Sequence, residues 1–358
     1  MYKEHVSGNM ESQEITTAVN KIMKGRPLYF STIDGNRETE TPLYLMMNVE
    51  TSCSYRCPKC ALNSERKTTR GTPLTIMERK LIIEKAKETG IRSFVIAGLG
   101  EPTEHFEQIR PLIETACNEG MTTILFSTLN GLSAEQTAFM RDHDVSVIVS
   151  LDSLNPETYR KLTGNGNIQK IMGNISMIRT AYDGTINKIN GDSIVRLGID
   201  MTIVIDNEHE IDAMRSFAGD DMQLIVNPPM KRGRFNHEIL WEKLVGDNYE
   251  RFANLAKEKS ETGGSSTISE GVCGYFSRGI SVDTDGQLMT CAYAGESVDA
   301  IRKNIRSMID NPEDQKNHLA EIRNSFDKFT KQLGYLPACP VRNPQAPRLY
   351  ALIGKNRP

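Results

Sequence analysis

The sequence predicts an α/β protein built around a parallel sheet, and three observations lead to this fold class. First, short apolar runs typical of buried strands alternate with segments of helical periodicity from residue 43 to about residue 230. Second, six strand-like runs are separated by five helix-like segments, and a parallel strand normally needs such a helical crossover. Third, the distinctive polar residues and cysteines follow the carboxyl ends of the strands, which favours a partly or fully closed barrel over an open doubly wound sheet.

The elements are predicted in strand and helix pairs along the chain. The strands lie within residues 43–50, 93–100, 122–128, 146–153, 193–205 and 222–229. The intervening helices lie within residues 75–90, 105–120, 133–144, 169–184 and 208–219. Gly90 is the stop signal of the first helix, because glycine readily adopts the left-handed conformation that ends a helix. The core domain is therefore assigned to residues 43–235, after an N-terminal extension of residues 1–42.

A second, smaller module of residues 236–358 is predicted, because the strand and helix alternation stops after the sixth strand. A helix and a Gly/Ser-rich connector lead to a hairpin whose turn is DTDG, residues 283–286. Cys273 and Cys291 flank this hairpin, and Cys339 lies between prolines in a segment that cannot be helical. The expected fold is thus a barrel-like core with a small C-terminal α+β module.

Composition excludes several classes of protein. The chain has 38% hydrophobic and 25% charged residues with a formal net charge of -3, as in an ordinary soluble globular protein. This near balance provides no global field for nucleic acid or an anionic membrane, and neither is expected as a partner. The sequence has no secretory signal pattern and no apolar run of about 20 residues, so a cytoplasmic location is expected. Clustered cysteines in that compartment are more typical of metal ligands or catalysts than of disulfides.

Three of the seven cysteines, Cys53, Cys57 and Cys60, lie within eight positions and directly follow the first predicted strand. A loop can direct three such sulfurs towards one point, whereas a helix could not. Structural zinc normally takes four protein ligands, and the nearest histidine in sequence is His105. An iron–sulfur cluster with one iron open to a small molecule needs only three thiolates. A zinc site with a remote ligand is the alternative.

The cysteine loop after the first strand, together with GLGEP (residues 98–102) after the second, resembles the radical S-adenosylmethionine (SAM) superfamily over residues 43 to about 230. The resemblance implies a partial (β/α)6 barrel in which the three cysteines hold a 4Fe-4S cluster. It further implies that SAM chelates the open iron and is cleaved to a 5′-deoxyadenosyl radical, with a flavodoxin or ferredoxin as electron donor. One departure is Lys59, at a position before the third cysteine that is usually aromatic, so adenine stacking is not expected there.

The residues expected to bind SAM lie at strand ends. Gly98 and Gly100 allow close approach of the backbone, and Glu101, before Pro102, can accept a hydrogen bond from the ammonium of a methionine moiety. The resemblance implies that polar residues after the third and fourth strands reach the SAM ribose and carboxylate: Ser127, Thr128, Asn130, Ser150 and Asp152. The alternatives are an ordinary turn for GLGEP and helix caps for the polar residues. A surface role is expected for Arg196, Asn207, Arg232 and Arg234.

The second module resembles the SPASM and Twitch extensions of radical SAM enzymes. Cys273 is followed by twelve residues, Gly286, four residues and Cys291, which is similar to the signature of those extensions. This implies one auxiliary iron–sulfur cluster at most, with Cys339 as the third ligand. Two alternatives remain: the cysteines are buried hydrophobic residues, or one of them donates a hydrogen atom. A core position is expected for the remaining Cys117.

Several reactions fit these expectations. The substrate radical could pass an electron to the auxiliary cluster, as in a dehydrogenase, or receive a hydrogen atom from a cysteine, as in an epimerase. Rearrangement is also open, since SLDSLNPETYRKLTG resembles the first enzyme of molybdopterin synthesis, although the C-terminal glycine pair of that family is absent. The segment before the barrel is short for a peptide-binding domain. A small polar substrate, derived from a sugar or an amino acid, is therefore expected, with a ribosomally made peptide as the alternative. An iron–sulfur redox sensor or electron carrier is the non-enzyme alternative.

Overall fold

The structure is a computed structural model that describes residues 44–49, 52–61, 71–91, 93–96, 99–183, 187–189, 192–259, 279–289, 304–307, 309, 311, 313–314 and 317. Its centre is an eight-stranded sheet in the order β10-β9-β1-β2-β3-β4-β7-β8. The strands of this sheet are β1 (Tyr44–Met47), β2 (Ser93–Ile96), β3 (Thr122–Ser127), β4 (Ser146–Ser150), β7 (Leu197–Thr202), β8 (Met222–Asn227), β9 (Gly279–Val282) and β10 (Leu288–Met289). Seven of them are parallel, and β10 alone is antiparallel to its neighbour. The predicted α/β fold with a parallel sheet is confirmed.

Helices connect successive strands of the sheet and cover its outer face. They are α1 (Ile76–Glu88), α2 (Phe106–Asn118), α3 (Ala134–Asp142), α4 (Pro156–Thr163), α5 (Ile168–Ala181), α6 (Ile211–Ala218), α7 (Glu238–Leu244) and α8 (Tyr249–Lys259). The sequence prediction missed α4, although Asn155 and Pro156 are typical of a helix start and the Asn155 side chain caps it. None of the described helices is long and apolar enough to cross a bilayer.

The fifth predicted strand is divided in the structure. Its first residues form β6 (Asp192–Ile194), which pairs antiparallel with β5 (Asn187–Ile189) in a separate hairpin, and only β7 enters the sheet. Between β6 and β7, the buried Arg196 guanidinium donates a hydrogen bond to the Val145 carbonyl and packs over the Tyr182 ring. Arg196 is therefore a buried anchor at the amino end of the sheet, and its expected surface role is wrong.

The C-terminal hairpin is continuous with the core sheet. β9 and β10 are antiparallel around the predicted DTDG turn, in which Gly286 has a φ of 86°. β9 also pairs in parallel with β1, so the hairpin extends the sheet. Gly279 is required at this junction, because a Cβ there would lie 1.9 Å from the Tyr44 ring.

The two faces of the sheet differ at its carboxyl end. Side chains facing the helices, such as Leu125, Val149 and Met201, are fully buried in the hydrophobic core. Side chains alternate between faces along a strand, and the last ones on the inner face of β3, β4, β7 and β8 are only half-buried. These half-buried inner residues are Phe126, Ser150, Asp200, Thr202 and Asn227. The inner face is thus accessible at the carboxyl edge of the sheet. This is the edge where the sequence analysis expects the functional residues.

Candidate functional site

The loop of residues 52–61 begins beyond the carboxyl end of β1 and carries the three clustered cysteines. Cys53, Cys57 and Cys60 are half-buried and form no disulfide, and the Cys60 amide donates to the Cys57 carbonyl across a turn (3.1 Å). Neighbouring segments hold the loop through its backbone: Ser52 O accepts from the Glu101 amide (2.9 Å), and Cys60 O accepts from the Arg234 amide (3.0 Å). The loop is thus fixed at both ends.

Side chains from the segments after β2 and β3 also hold the cysteine loop. The Glu104 carboxylate accepts hydrogen bonds from the Ser54 amide (3.0 Å), the Ser54 hydroxyl and the Asn130 amide group (2.7 Å). The Tyr55 hydroxyl donates to the Asn130 side-chain oxygen (3.2 Å). Sequence reasoning missed Glu104, although its place directly after GLGEP was a usable signal. Asn130, which was expected to reach a ribose, holds the loop in this structure.

Glu101, expected to bind SAM, accepts hydrogen bonds from several protein groups in this structure. Its side chain is buried, and its two oxygens accept five hydrogen bonds from protein groups. One oxygen accepts from the Thr103 amide and hydroxyl and from the Ser127 hydroxyl; the other accepts from the Thr128 amide and hydroxyl, both at 2.7 Å. A carboxylate oxygen has about two acceptor positions. Glu101 therefore ties the ends of β2 and β3 together, and the expected hydrogen bond from a SAM ammonium stays a prediction.

The rest of GLGEP forms a tight turn against the cysteine loop. Gly100 has a φ of 80°, a left-handed conformation that glycine adopts without strain. Pro102 is buried and begins a 3-10 turn that runs to His105. Gly98 lies outside the described residues.

A buried ion pair links the cysteine loop to the end of β4. Lys59 Nζ lies 2.8 Å from Asp152 Oδ2, with side chains only 13% and 5% exposed. Burial by itself would lower the pKa of Lys59, but the charge of the Asp152 carboxylate and its hydrogen bond raise it above its ordinary value. Asn207, also fully buried, donates to the Asp152 carbonyl (2.7 Å). Asn207 therefore supports this edge from inside the protein, and its expected surface role is wrong.

The donor set of the cysteine loop consists of three thiols, which is the type of ligand that iron–sulfur clusters take. No three His, Cys, Asp or Glu side chains among the described residues converge to hold one ion. In a four-iron cluster each cysteine binds a different iron, so three thiolates suffice when the fourth iron takes a small molecule. Burial raises the pKa of Cys53 and of Cys57 to about 12, and the nearby thiols add to both shifts. Iron binding would thus displace protons from these thiols.

Of the other four cysteines, the structure describes Cys117 alone. Cys117 is half-buried near the end of α2. The three cysteines assigned to the second module, Cys273, Cys291 and Cys339, lie outside the described residues.

Comparison with known proteins gives one family match and a consistent set of relatives. Residues 47–194 match the family model of the Radical SAM superfamily. The GTP 3′,8-cyclase of Nitrobacter hamburgensis is 29% identical over 195 residues, which cover 53% of this chain and 53% of that protein. The GTP 3′,8-cyclase of Desulforamulus reducens is 24% identical over 72% of this chain and 83% of its own length. The chain thus spans about half the length of the first relative and most of the second.

Solved structures with the same fold come from proteins of low sequence identity. Streptococcus suis SuiB bound to S-adenosylmethionine superposes with a TM-score of 0.55 at 15% identity, covering 76% of this chain and 65% of SuiB. The structure of anSMEcpe with bound AdoMet and Cp18Cys peptide has a TM-score of 0.56 at 15% identity, covering 87% and 96%. At these identities the likeness is one of fold.

Proposed function

Since residues 47–194 form a radical SAM domain, we propose that this chain binds a 4Fe-4S cluster through Cys53, Cys57 and Cys60 and cleaves SAM reductively to abstract a hydrogen atom from a small polar substrate. Oxidation or epimerisation of a sugar- or amino-acid-derived compound is the proposed outcome. The observation that carries the proposal is the placement of the cysteine loop. It lies at the carboxyl edge of a parallel sheet, beside a half-buried polar inner face.

The chain's own residues hold the cysteine loop and the strand ends in position. When bound, the cluster and SAM supply one electron and a carbon radical, which is the chemistry that the protein lacks. Glu104, Ser54 and Asn130 hold the cysteine loop against the strand ends, and Glu101 holds those strand ends together. Such pre-organisation keeps the reacting groups in one geometry, which is the main task of a protein around a reactive cofactor.

The inner face supports a polar substrate. The Asn227 side-chain amide donates to Asp200 Oδ1 (2.6 Å), and Ser150 pairs with Asp200 across β4 and β7. All three residues are half-buried; Ser150 and Asn227 end their strands, and Asp200 lies two residues before the end of β7. A half-buried carboxylate beside amide and hydroxyl groups can select hydroxyl or amino groups of a substrate through directed hydrogen bonds.

Cys273, Cys291 and Cys339 are assigned to a second cluster on the basis of their spacing alone. In an oxidation this cluster would accept the second electron. In an epimerisation one of these thiols would return a hydrogen atom to the substrate.

The test is anaerobic reconstitution followed by measurement of iron, sulfide and 5′-deoxyadenosine. We compare the wild type with Cys57→Ala and with Cys117→Ala. Cys117→Ala is the matched control, because it also removes one half-buried thiol, but on α2. Cys57→Ala is expected to lose SAM cleavage, and Cys117→Ala is expected to retain it. Cleavage by Cys57→Ala at the wild-type rate would refute the proposal.

Cyclisation or rearrangement of a nucleotide is the second candidate, because two relatives carry the name GTP 3′,8-cyclase. Incubation with GTP, SAM and reductant tests it through consumption of GTP and a cyclised product. Deuterium from D2O in a recovered polar substrate would instead indicate epimerisation, and loss of two hydrogens would indicate oxidation.

A peptide is the third candidate substrate, since a structural neighbour was solved with its precursor peptide.

A further inference from the structure

Lys59 introduces a buried cation into the cysteine loop itself. It stands between Cys57 and Cys60, whose backbones are joined by the turn hydrogen bond of 3.1 Å. Its side chain does not extend into solvent, being only 13% exposed. Lysine is seldom buried unless it is paired, and here the partner is the Asp152 carboxylate at 2.8 Å.

The carboxylate that pairs with Lys59 is itself fixed. Asp152 Oδ2 faces the ammonium, while Oδ1 accepts a hydrogen bond from the Thr202 amide (2.9 Å). The Asp152 carbonyl accepts from the Asn207 side chain (2.7 Å), and Asn207 also donates to the Thr202 carbonyl (2.9 Å). The ends of β4 and β7 therefore hold Asp152 in place, and Asp152 holds the ammonium in place.

Two fixed charges of opposite sign beside a redox group shift its potential in opposite directions. Electrostatic interactions are weakly screened between buried groups, and the potential of an iron–sulfur cluster depends on nearby charge. A cation stabilises the state that has gained an electron, and an anion destabilises it. Lys59 belongs to the ligand loop, and its contact with Asp152 fixes the position of its ammonium.

We propose that the Lys59–Asp152 pair sets the reduction potential of the cluster bound by Cys53, Cys57 and Cys60. Lys59 makes the cluster easier to reduce, and Asp152 limits this effect. The inference rests on the proposed function. It goes beyond that function by giving the pair an electrostatic role that a purely structural link would not have.

The test is a potentiometric titration without SAM, in which electron paramagnetic resonance measures the reduced cluster. Lys59→Met keeps much of the side-chain volume and removes the charge, so the ratio of reduced to oxidised cluster at a fixed potential should fall about tenfold, or 59 mV for one electron. Asp152→Asn should shift the ratio in the opposite direction, and Lys59→Arg should leave it near the wild-type value. Lys85→Met removes the cation of a solvent-exposed ion pair on α1. It is the control, and its reduction potential should equal that of the wild type.

The possible failures can be told apart. If the wild type assembles no cluster, the proposed function itself fails. If clusters form in all variants but the potentials do not move in opposite directions, the electrostatic inference is refuted. If Lys59→Met assembles no cluster, the measurement on Asp152→Asn tests the proposal alone. A reduction potential of Asp152→Asn equal to or below that of the wild type contradicts the proposal.

Discussion

Glu101→Gln tests whether the buried carboxylate ties the ends of β2 and β3 together. The amide can keep its oxygen towards Thr103 and Ser127, but its NH2 group then faces the Thr128 amide, and two donors oppose each other. A buried donor without an acceptor costs about 1–3 kcal/mol, and the remaining hydrogen bonds lose the strengthening effect of the negative charge. We expect the free energy of unfolding to fall by about 3 kcal/mol.

The assay is urea unfolding of the cluster-free protein, monitored by circular dichroism. Glu107→Gln is the matched control, because the Glu107 side chain is 85% exposed on α2 and makes only a long ion pair with Arg110 (4.0 Å). An exposed substitution of this kind changes stability by less than about 0.5 kcal/mol. If Glu101→Gln and Glu107→Gln unfold at the same urea concentration, the carboxylate does not stabilise these strand ends, and our reading of its hydrogen bonds is wrong.

Three further predictions concern other parts of the fold. Asp200→Asn should lower substrate turnover at least about tenfold while iron content and slow uncoupled SAM cleavage stay unchanged, because one directed hydrogen bond to a charged group contributes about 1.5–3 kcal/mol. If iron content fell to the same extent as turnover, the role of Asp200 would not be limited to the substrate. Hydrogen bonds from Arg306 and from the helix cap lower the pKa of Glu78 from 4.5 to about 2. The ionised carboxylate therefore stabilises the fold above pH 4.5, and this contribution is lost as the pH falls towards 2. Glu78→Gln should therefore flatten the dependence of the melting temperature on pH in that window, and an unchanged slope would show that the pairing with Arg306 is unimportant. Gly279→Ala should destabilise the protein by about 1–3 kcal/mol in thermal unfolding, since its Cβ would overlap the Tyr44 ring; wild-type stability would mean that β9 does not pack on β1 as described.

The sequence predicts the parts of this site that depend on local pattern. Strand and helix periodicity locates the strand ends, and the cysteine spacing places Cys53, Cys57 and Cys60 in a loop after the first strand. Hydrogen-bond partners that are distant in sequence cannot be predicted in this way. The pairing of Lys59 with Asp152 requires the cysteine loop to fold over β4, and the pairing of β9 with β1 joins opposite ends of the chain. The hydrogen-bond donors to Glu101 could not be predicted for the same reason, since they come together only when β2 and β3 are adjacent.

Glu101 and Glu104 belong to one segment and have different roles in organising the site. Glu101 is buried and its oxygens accept five hydrogen bonds from protein groups, so it stabilises the scaffold. Glu104 contacts Ser54 directly, so its loss would disturb the cysteine loop and, with it, every step that needs the cluster. Under the proposed function, selection among substrates falls to the half-buried inner residues, among which Asp200 is the charged one. Substitutions at Asp200 should therefore change which substrate is used, whereas substitutions at Glu104 should reduce turnover of all substrates together.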